Sequence, residues 1–461
     1  MPPARFLQPV WIYGILGSLF GLSLVFITPP FQVPDEPNHF YRAYQVSQGE
    51  LLGQFEPGLD YPGGILPESL ERSVVQLTRG VQQRPERKYS ISWIQEGFEI
   101  DLEPGRTKFL AFPNTVIFSA VDYLPQAAGI AAGRALELPP LALLYVGRIG
   151  ALAFTVILGC WTLHAVSFFR WPLLFLLLMP MTVFEAASVS ADAVTNALSI
   201  AFCGSILSEL RTSADPMASA RRAQWAGLFA LVTLSKTVYV ILGLLIFLIP
   251  PERFGSRRRQ LGFLSAFFAL GVTVFAGWSW FANAAYVPFD PDLHTNLREQ
   301  LRLVVANPAG FAEVVFWAFV NQHEAYRHMF IGVLGWLDTY LPVWLLNAYT
   351  ILLLLAAAFD GDRDVRLGLA QRLWLCFIAA AGLLGVSLSA YCLWTEVGAA
   401  DLDSIQGRYF IPLAPVVLLL FYNSTLASRV KPWHKVAVAI PSLALTALLT
   451  VATLIDRYYL L

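Results

Sequence analysis

The sequence predicts an all-α membrane protein whose helices cross a bilayer about 11 times. Only 14% of its 461 residues are charged, against about 25% in soluble domains. In contrast, 56% are hydrophobic and the mean hydropathy is +0.58. Apolar runs of about 18 to 25 residues recur along the chain, and about 20 helical residues cross a hydrocarbon core. A soluble core cannot hide this much apolar surface, so we expect lipid to cover the remainder.

The charges and cysteines exclude several classes of function. The formal net charge is −1 and the Lys and Arg residues are scattered, so the sequence lacks the basic stripe that nucleic-acid binding needs. All four cysteines lie in apolar runs, which argues against a disulfide framework or a cysteine metal site. No phosphate-binding glycine loop, metalloprotease motif or serine nucleophile elbow occurs. The spacing of His323 and His328 suits a shared metal poorly, so we expect surface residues there.

Nine apolar runs predict clear spans. They cover residues 9–28, 141–163, 171–187, 193–210, 261–281, 341–359, 373–393, 410–427 and 436–455. The first run has full span length and no small-residue cleavage site follows it. We therefore expect a retained helix rather than a cleaved signal peptide.

The apolar stretch 225–249 has arginines on both sides. Those before it are Arg211, Arg221 and Arg222, and those after it are Arg253, Arg257, Arg258 and Arg259. Arginines in short loops favour the cytoplasmic side, so both flanks belong there. The stretch is then a hairpin of two short spans that turns near Lys236 and places this lysine at the outer surface.

The stretch 115–136 contains Pro125 and Arg134. Counting it as a span would move Arg211 to the outside, so we expect it to lie at the outer interface or to dip in and out of the membrane. Nine spans and two hairpin halves then give about 11 crossings, with a cytoplasmic N-terminus. The same predicted topology places further basic residues on the cytoplasmic side, namely Arg363, Arg366, Arg372, Arg429, Lys431 and Lys435.

We expect residues 1–461 to form a single integral domain of the cell membrane, without a separate soluble domain. A large first outer loop covers residues 29–140, a second covers 284–340, and a shorter segment covers 394–409. Polar chemistry concentrates in these segments, so we expect a site that faces outside.

Asp35 and Glu36 stand where the first span leaves the membrane. Pro37 predicts the first turn of a helix that ends near Gln48, before Gly49. The positive end of a helix favours ionised carboxylates, and an ionised carboxylate is suited to act as a general base. The alternative interpretation is an acidic helix cap with a solvated face.

The same segment has the pattern of an amphipathic helix that lies along the membrane interface. His39 and Arg42 share one stripe of this helix, close to the two acids. Arg42 is therefore a candidate contact for an anion.

A polar turn joins two predicted spans and contains Glu185, Ser188, Ser190 and Asp192. Acidic residues at membrane depth are costly and usually functional. In a shallow turn, Asp192 would instead cap the next helix.

Lys236 is the only ionisable residue of the stretch 225–249. A lysine between apolar half-helices needs a carboxylate or a lipid phosphate as its partner. The alternative is that its side chain snorkels to the headgroups. Arg148, within its own span, is a further candidate for the site.

Gln406, Gly407, Arg408 and Tyr409 lead into the span 410–427 from outside. Free N–H groups at a helix start, with an arginine beside them and a glycine that permits close approach, predict an anion site. The alternative is an interfacial Arg/Tyr anchor.

Five motifs together resemble a known family. They are Phe31-Gln32-Val33-Pro34-Asp35-Glu36-Pro37-Asn38-His39-Phe40-Tyr41-Arg42-Ala43, the turn from Ser188 to Asp192 after Pro180, Leu234-Ser235-Lys236, Gly335-Trp336-Leu337-Asp338, and Gln406-Gly407-Arg408-Tyr409-Phe410-Ile411-Pro412. The chain resembles, over nearly its whole length, a bacterial multi-pass membrane family catalogued as domain of unknown function 2142. More distantly, its layout is similar to the GT-C superfamily of polyprenyl-phosphate-sugar-dependent glycosyltransferases.

The GT-C resemblance implies a paired acid after the first span, a second acid after the third span, and a sugar donor carried on a lipid phosphate. By this resemblance Asp35 takes the position of the catalytic base and Asp192 that of the second acid. The large soluble domain that some GT-C members carry after their spans has no expected counterpart here.

Physical reasoning agrees with this resemblance. Nucleotide sugars are not generally available outside the cytoplasm, so transfer on the outer face needs a membrane-anchored donor with a phosphate leaving group. Arg42, Lys236 and Arg408 are cations that could stabilise the departing phosphate, and Asp35 could deprotonate an acceptor hydroxyl. One base and one displacement predict inversion at the anomeric carbon.

The expected function is transfer of a sugar from a polyprenyl-phosphate donor to a saccharide, lipid or protein acceptor of the cell envelope. The expected catalytic residues are Asp35, Glu36 and Asp192, and the expected substrate-binding residues are His39, Arg42, Lys236, Gln406, Arg408 and Tyr409. The sequence requires no cofactor, although a divalent cation such as Mg²⁺ or Mn²⁺ could bridge Asp35 and Asp192. The alternatives are a translocator of lipid-linked saccharides and a non-catalytic partner in envelope polysaccharide assembly.

Overall fold

A computed structural model describes residues 8–210, 216–287, 294–362, 365–427 and 429–460. The predicted cytoplasmic residues Arg211 and Arg363 lie outside these ranges. The helices up to residue 207 are α1 (Pro9–Ile27), α2 (Glu36–Ser47), α3 (Glu68–Thr78), α4 (Ile91–Phe98), α5 (Pro113–Val116), α6 (Leu124–Ala135), α7 (Pro140–Ala165), α8 (Arg170–Leu177), α9 (Pro180–Ala186) and α10 (Ala191–Leu207). The helices that follow are α11 (Ser219–Ser235), α12 (Arg257–Ala285), α13 (Leu297–Ala306), α14 (Pro308–Gly332), α15 (Val343–Phe359), α16 (Leu369–Leu393), α17 (Ala414–Leu420), α18 (Ser424–Ala427) and α19 (Pro432–Tyr459).

Short 3-10 helices and two small sheets complete the fold. The 3-10 helices cover Ala120–Tyr123, Thr237–Leu248, Pro251–Phe254 and Gly407–Leu413. Strand β1 (Gly63–Pro67) pairs antiparallel with β2 (Thr107–Ala111), and β3 (Val333–Leu334) pairs antiparallel with β4 (Thr339–Tyr340). The all-α prediction therefore describes the protein apart from these four strands.

Five helices within the described residues are long and apolar enough to cross a membrane, namely α1, α7, α12, α16 and α19. Two bent pairs, α9 with α10 (120°) and α13 with α14 (104°), raise this number to seven if each pair is one span. The other predicted spans correspond to shorter apolar helices, such as α15 with 17 residues. The count of 11 crossings therefore stays a prediction.

The outer face of α1 is typical of a helix in lipid. Its large apolar side chains at positions 11, 15, 19, 22 and 26 are 39 to 61% exposed and recur every three or four residues. Exposing an apolar stripe of this length to water is unfavourable, whereas contact with lipid tails is favourable.

The run predicted as one span over 171–187 is instead two short helices, α8 and α9. Pro180 occupies the start of α9. Proline has no backbone N–H, which costs nothing at a helix start but prevents proline from continuing the preceding helix. Every residue from 171 to 187 is buried, so protein rather than lipid surrounds this segment.

The predicted hairpin is present. Helix α11 runs to Ser235, and the chain then returns as the 3-10 helix Thr237–Leu248, with Gly243 packed against the ring of Phe229. At the far end, the backbone N–H of Met217 donates to the carbonyl of Arg253 at 2.7 Å. Both flanks therefore lie at one end of the molecule, as the positive-inside argument requires.

The stretch 115–136 does not form a spanning helix. It is divided among the end of α5, the 3-10 helix Ala120–Tyr123 and α6. Glycines let α6 and α7 approach closely, since a Cβ at Gly129 would lie 2.2 Å from the carbonyl oxygen of Val146. This segment thereby brings its polar residues against the centre of the fold.

Helix α2 has the predicted limits, with Pro37 in its first turn and Gly49 in the left-handed region (φ +89°) just after its end. The alternative interpretation, an acidic cap with a solvated face, is wrong. His39 and Arg42 are both buried, because α6 and strand β1 pack over this helix. Among the outer segments, α13 fits the predicted amphipathic type, with Gln300 buried and Val305 79% exposed.

Candidate functional site

Four elements that are distant in sequence meet near the N-terminus of α10. They are the loop before α2, the turn from α9 to α10, the tip of the hairpin at Lys236, and the 3-10 helix Gly407–Leu413. Each was predicted separately to carry a charged functional residue. The structure brings Asp35, Asp192, Lys236 and Arg408 into one electrostatically connected group, which we call the charged cluster.

The charged cluster is organised by Asp192. One of its carboxylate oxygens accepts a hydrogen bond from the Lys236 ammonium, and the other lies 3.8 Å from Nε of Arg408. Arg408 also donates from Nη1 to Oε1 of Glu185 at 2.6 Å. The side chains of these four residues are at most 16% exposed, so solvent screens their interactions only slightly. The partner that Lys236 needed is thus a carboxylate.

Aromatic rings surround the ammonium group of Lys236. Its Nζ lies 5.1 Å from the ring centroids of both Phe118 and Tyr409, within the range of cation–π attraction. The hydroxyl of Tyr239 donates to the carbonyl of Tyr409 at 2.7 Å and holds the backbone of Tyr409 in place. A cation held between aromatic faces and one carboxylate is well placed to meet a second anion.

Asp35 stands at the N-cap of α2 in the left-handed region, with φ 59°, a conformation that costs free energy for most residues but less for Asp. Its side chain is half-buried and hydrogen-bonded to Asn114. Among the described residues, it forms no ion pair within 4 Å. Burial raises the pKa of Asp35 above its ordinary value, Arg408 opposes this shift, and Asp192 adds to it.

His39 lies one turn after Asp35, buried against the same site. Its Nδ1 is 2.8 Å from the hydroxyl of Tyr123, and its ring stacks on Phe118 at 6.2 Å. Burial is the main cause that lowers the pKa of His39 to about 3. The imidazole is therefore neutral, able to accept or donate a hydrogen bond but not to act as a cation.

Glu36 does not face the charged cluster. Its carboxylate forms a bidentate pair with Arg148 of α7, at 2.8 and 2.5 Å. The remaining donors of Arg148 bind the carbonyl oxygens of Val25, Thr28 and Pro29 at the end of α1. All five N–H groups are used, and both side chains are fully buried. The geometry indicates that Glu36 holds α1, α2 and α7 together, and its predicted catalytic role stays a prediction.

Arg42 has protein partners for two of its donor groups, and its predicted contact with an anion stays a prediction. It donates to Oε1 of Gln45 at 2.6 Å and to the carbonyl of Leu51 at 2.7 Å. Its guanidinium thus closes the loop that follows α2. The two Nη groups of Arg42 thus bind its own neighbourhood in the chain, whereas its buried Nε has no hydrogen-bond partner among the described residues.

Gly407 permits the close approach that was predicted, but the group that approaches it is protein backbone and not an anion. A Cβ at this position would lie 1.8 Å from the carbonyl oxygen of Tyr326 in α14. Gln406 forms the N-cap of the 3-10 helix, and its side-chain Oε1 is buried without a hydrogen-bond partner among the described residues. This tight contact with α14 fixes the position from which Arg408 extends.

Sequence reasoning missed several residues of the site. Phe118, Asp122 and Tyr123 come from the stretch 115–136, which was considered only as a doubtful span, and Asn114 directly precedes it. Asp122 carried a usable signal, because an acid inside an apolar stretch is costly and usually functional. Phe118 and Tyr123 carried no such signal, since the sequence is rich in aromatic residues throughout.

The donor set does not fit a resident divalent cation. No group of three or more His, Cys, Asp or Glu side chains that could hold a metal occurs among the described residues. Asp35 and Asp192 supply two carboxylates, but both oxygens of Asp192 face the cations Lys236 and Arg408. These cations already supply the positive charge that Mg²⁺ or Mn²⁺ would bring.

Two surface cavities lie away from the charged cluster. One, of about 600 Å³, is lined by charged residues of α3 and β2, and another, of about 260 Å³, lies between the starts of α1, α8 and α19. Neither cavity is lined by a residue of the charged cluster. The charged cluster is therefore a candidate site because of its buried charges and not because of a cavity.

Residues 18–417 match the model of a protein family described as predicted membrane protein (DUF2142). The chain belongs to this family. The DUF2142 segment contains Asp35, Asp192, Lys236 and Arg408, so the charged cluster lies wholly within it. No curated protein and no solved structure matches the chain.

Proposed function

We propose that this DUF2142 protein is an inverting glycosyltransferase of the cell envelope that uses a sugar linked to a polyprenyl phosphate, similar in layout to the GT-C superfamily. The observation that carries the proposal concerns Asp35, which has no ion-pair partner in the described chain. It interacts electrostatically with Arg408 and with Asp192, the carboxylate that pairs with Lys236. A base beside two partly shielded cations matches the needs of a displacement that releases phosphate.

An unused donor supports an anionic ligand. Nε of Arg408 is buried and has no hydrogen-bond partner among the described residues. A buried N–H left unpaired costs about 1–3 kcal/mol, so a phosphate oxygen at this position would remove a cost that the free protein bears. Lys236, held only by Asp192 and aromatic faces, could turn toward the same phosphate.

In the proposed step, the oxygen of an acceptor hydroxyl attacks the anomeric carbon of the donor sugar. The bond between this carbon and the phosphate oxygen breaks, and its electron pair leaves with the phosphate. Asp35 takes the hydroxyl proton, while Lys236 and Arg408 stabilise the charge on the phosphate. Attack from the face opposite the leaving group inverts the anomeric configuration.

The first test measures sugar transfer in proteoliposomes that contain the purified protein, with a labelled polyprenyl-phosphate sugar as donor. Asp35→Asn should lower the transfer rate by about 100-fold or more, the usual loss when a general base is removed. Asp60→Asn changes an exposed acid of the same outer segment and should retain the wild-type rate. Full transfer by a correctly folded Asp35→Asn variant would exclude Asp35 as the base.

One observation favours the translocator alternative. Asn196 and Ser199 follow Asp192 by one and two turns of α10, and both are buried. Nδ2 of Asn196 and Oγ of Ser199 have no hydrogen-bond partner among the described residues. Polar groups therefore continue from the charged cluster toward the other end of the helix, as a path for a saccharide headgroup would require.

Lipid flipping separates the two functions. A fluorescent lipid-linked saccharide in vesicles would cross the bilayer faster with the wild-type protein if it were a translocator. In that case Asn196→Leu should slow crossing, and Asp35→Asn should leave it unchanged. Transfer without accelerated crossing supports the glycosyltransferase.

A further inference from the structure

Asp122 is a fully buried carboxyl group that the proposed transfer does not use. It lies in the 3-10 helix Ala120–Tyr123, which continues directly into α6, and its exposed fraction is 0%. This helix packs against α10 close to Asp192. An ionised carboxylate in such a place needs strong partners.

Hydroxyl groups are the hydrogen-bonding neighbours of Asp122. Its Oδ1 accepts from the hydroxyl of Thr195 at 3.3 Å. The hydroxyl of Ser235 also interacts with this carboxyl group and lowers its pKa, but Oδ2 is buried without a partner in hydrogen-bonding geometry among the described residues. Gln126, four residues later in the same helical run, donates from Nε2 to the carbonyl of Ser190 at 3.1 Å. Its Oε1 is also buried without a partner in the described chain.

Asp122 and Gln126 are four residues apart in one helical run, a spacing that favours side chains on the same face. Each has a buried acceptor oxygen without a hydrogen-bond partner among the described residues. A protonated carboxyl group has an O–H donor that could serve such an acceptor. We propose that Asp122 and Gln126 form a proton-binding site beside the charged cluster, in which Asp122 carries the proton and Gln126 accepts its hydrogen bond.

The charged and titratable neighbours define the electrostatics of this site. Lys236 at the hairpin tip and Arg42 on α2 favour the ionised form, whereas Asp192 on α10 opposes it, and Tyr123 is adjacent in the chain. Burial outweighs both cations and raises the pKa of Asp122 to about 8. The site therefore holds its proton at neutral pH and loses it in mildly alkaline solution.

Loss of the proton changes the charged cluster. With Asp122 neutral, Lys236 has Asp192 as its single carboxylate partner within 4 Å in the described chain. An ionised Asp122 adds a negative charge that acts on Lys236 and Asp192. This charge would repel a phosphate, so proton binding should favour anion binding. This coupling rests on the proposed function, whereas the proton-binding site does not.

Infrared spectroscopy of the full chain in lipid nanodiscs tests the proton-binding site. The wild-type protein should show a carbonyl band of a buried carboxylic acid that disappears with a midpoint near pH 8. Asp122→Asn should lack this band at every pH, and the exposed control Asp101→Asn should retain it. A spectrum of Asp122→Asn that keeps the band, or a wild-type protein without it, would overturn the assignment.

A second variant covers the case in which Asp122→Asn does not fold. Gln126→Leu removes the acceptor, so the carboxylic acid loses a hydrogen bond and its carbonyl band should move to higher frequency. A band at the wild-type frequency in this variant would contradict the pairing of Asp122 with Gln126.

Binding of polyprenyl phosphate then tests the coupling. The wild-type affinity should fall as the pH rises through 8, by no more than tenfold per pH unit because one proton is involved. Asp122→Asn should not show that fall. Titration of the lipid phosphate itself affects both proteins equally, so only the difference between them reports on Asp122. Equal pH dependence in the two proteins would exclude coupling. Absence of binding to either protein, with the infrared band intact, would reject the proposed function but not the proton-binding site.

Discussion

Arg148 and Arg408 are both buried arginines paired with glutamates, but their donors differ. Arg148 uses all five N–H groups on Glu36 and three carbonyl oxygens. Arg408 leaves Nε without a hydrogen-bond partner among the described residues. A saturated arginine stabilises a fold, whereas an unsaturated one beside Lys236 can still bind a ligand. The donor inventory thus distinguishes Arg408 from Arg148. An unpaired Nε is not sufficient by itself to mark a ligand site, because the buried Nε of Arg42 also lacks a hydrogen-bond partner among the described residues.

The structural role of Glu36 gives a stability prediction. Glu36→Gln removes the charge opposite Arg148 and should destabilise the protein by about 3–5 kcal/mol, the usual cost of breaking a buried ion pair. Thermal unfolding in detergent measures the change. Glu71→Gln breaks the exposed pair with Lys108 and should leave the midpoint nearly unchanged. Equal midpoints for the two variants would contradict a structural role for Glu36.

At the scale of elements, the position of the 3-10 helix Gly407–Leu413 decides where Arg408 points. Gly407 touches the carbonyl oxygen of Tyr326, and Tyr326 in turn donates from its hydroxyl to the carbonyl of Leu402 at 3.3 Å. Helix α14 therefore holds both the start of this 3-10 helix and the loop before it. Displacing α14 would move Arg408 relative to Asp192.

Gly407→Ala tests this dependence. The added methyl group cannot fit against the backbone of Tyr326, so the 3-10 helix must shift and binding of polyprenyl phosphate should weaken by about tenfold or more. The control Gly262→Ala lies on α12, where no atom is near the added methyl. That variant should bind normally and be equally or slightly more stable, by up to about 1 kcal/mol. Normal binding by Gly407→Ala would show that Arg408 does not depend on this contact.

Local signals predicted the limits of elements but not their surroundings. Pro37 and Gly49 defined α2 because a helix start and a left-handed helix end depend on a few adjacent residues. The burial of α2 depends on strand β1 and helix α6, which follow it by many residues. Likewise, the partner of Glu36 is 112 residues away, and nothing in a short sequence window selects Arg148 over another arginine.

At the scale of the whole molecule, the four residues of the charged cluster converge although they lie in separate segments of the sequence. The predicted topology placed Asp35, Asp192, Lys236 and Arg408 on one face, and the orientation of that face in the membrane stays a prediction. The sequence could not show which protein groups a buried arginine binds, as for Arg42 with Gln45 and Leu51. Contacts such as His39 with Tyr123 could not be predicted, since they depend on side-chain packing between distant segments.

Orientation in the membrane is a further prediction at this scale. Asp101→Cys lies in the first outer segment and Lys431→Cys lies near the start of α19, and both positions are exposed. In intact cells, a membrane-impermeant thiol reagent should label Asp101→Cys but not Lys431→Cys, when each is made in a protein whose own cysteines are replaced by serine. The opposite labelling pattern would invert the topology and place the charged cluster on the cytoplasmic side.

The central claim is that the charged cluster binds a lipid phosphate next to a free carboxyl group. The most direct measurement is an experimental structure of the protein in nanodiscs with polyprenyl phosphate added. We expect phosphate oxygens within hydrogen-bonding distance of Nε of Arg408 and Nζ of Lys236, with Asp35 facing the same space. A phosphate bound elsewhere, with Arg408 and Lys236 still paired only to Glu185 and Asp192, would contradict the claim.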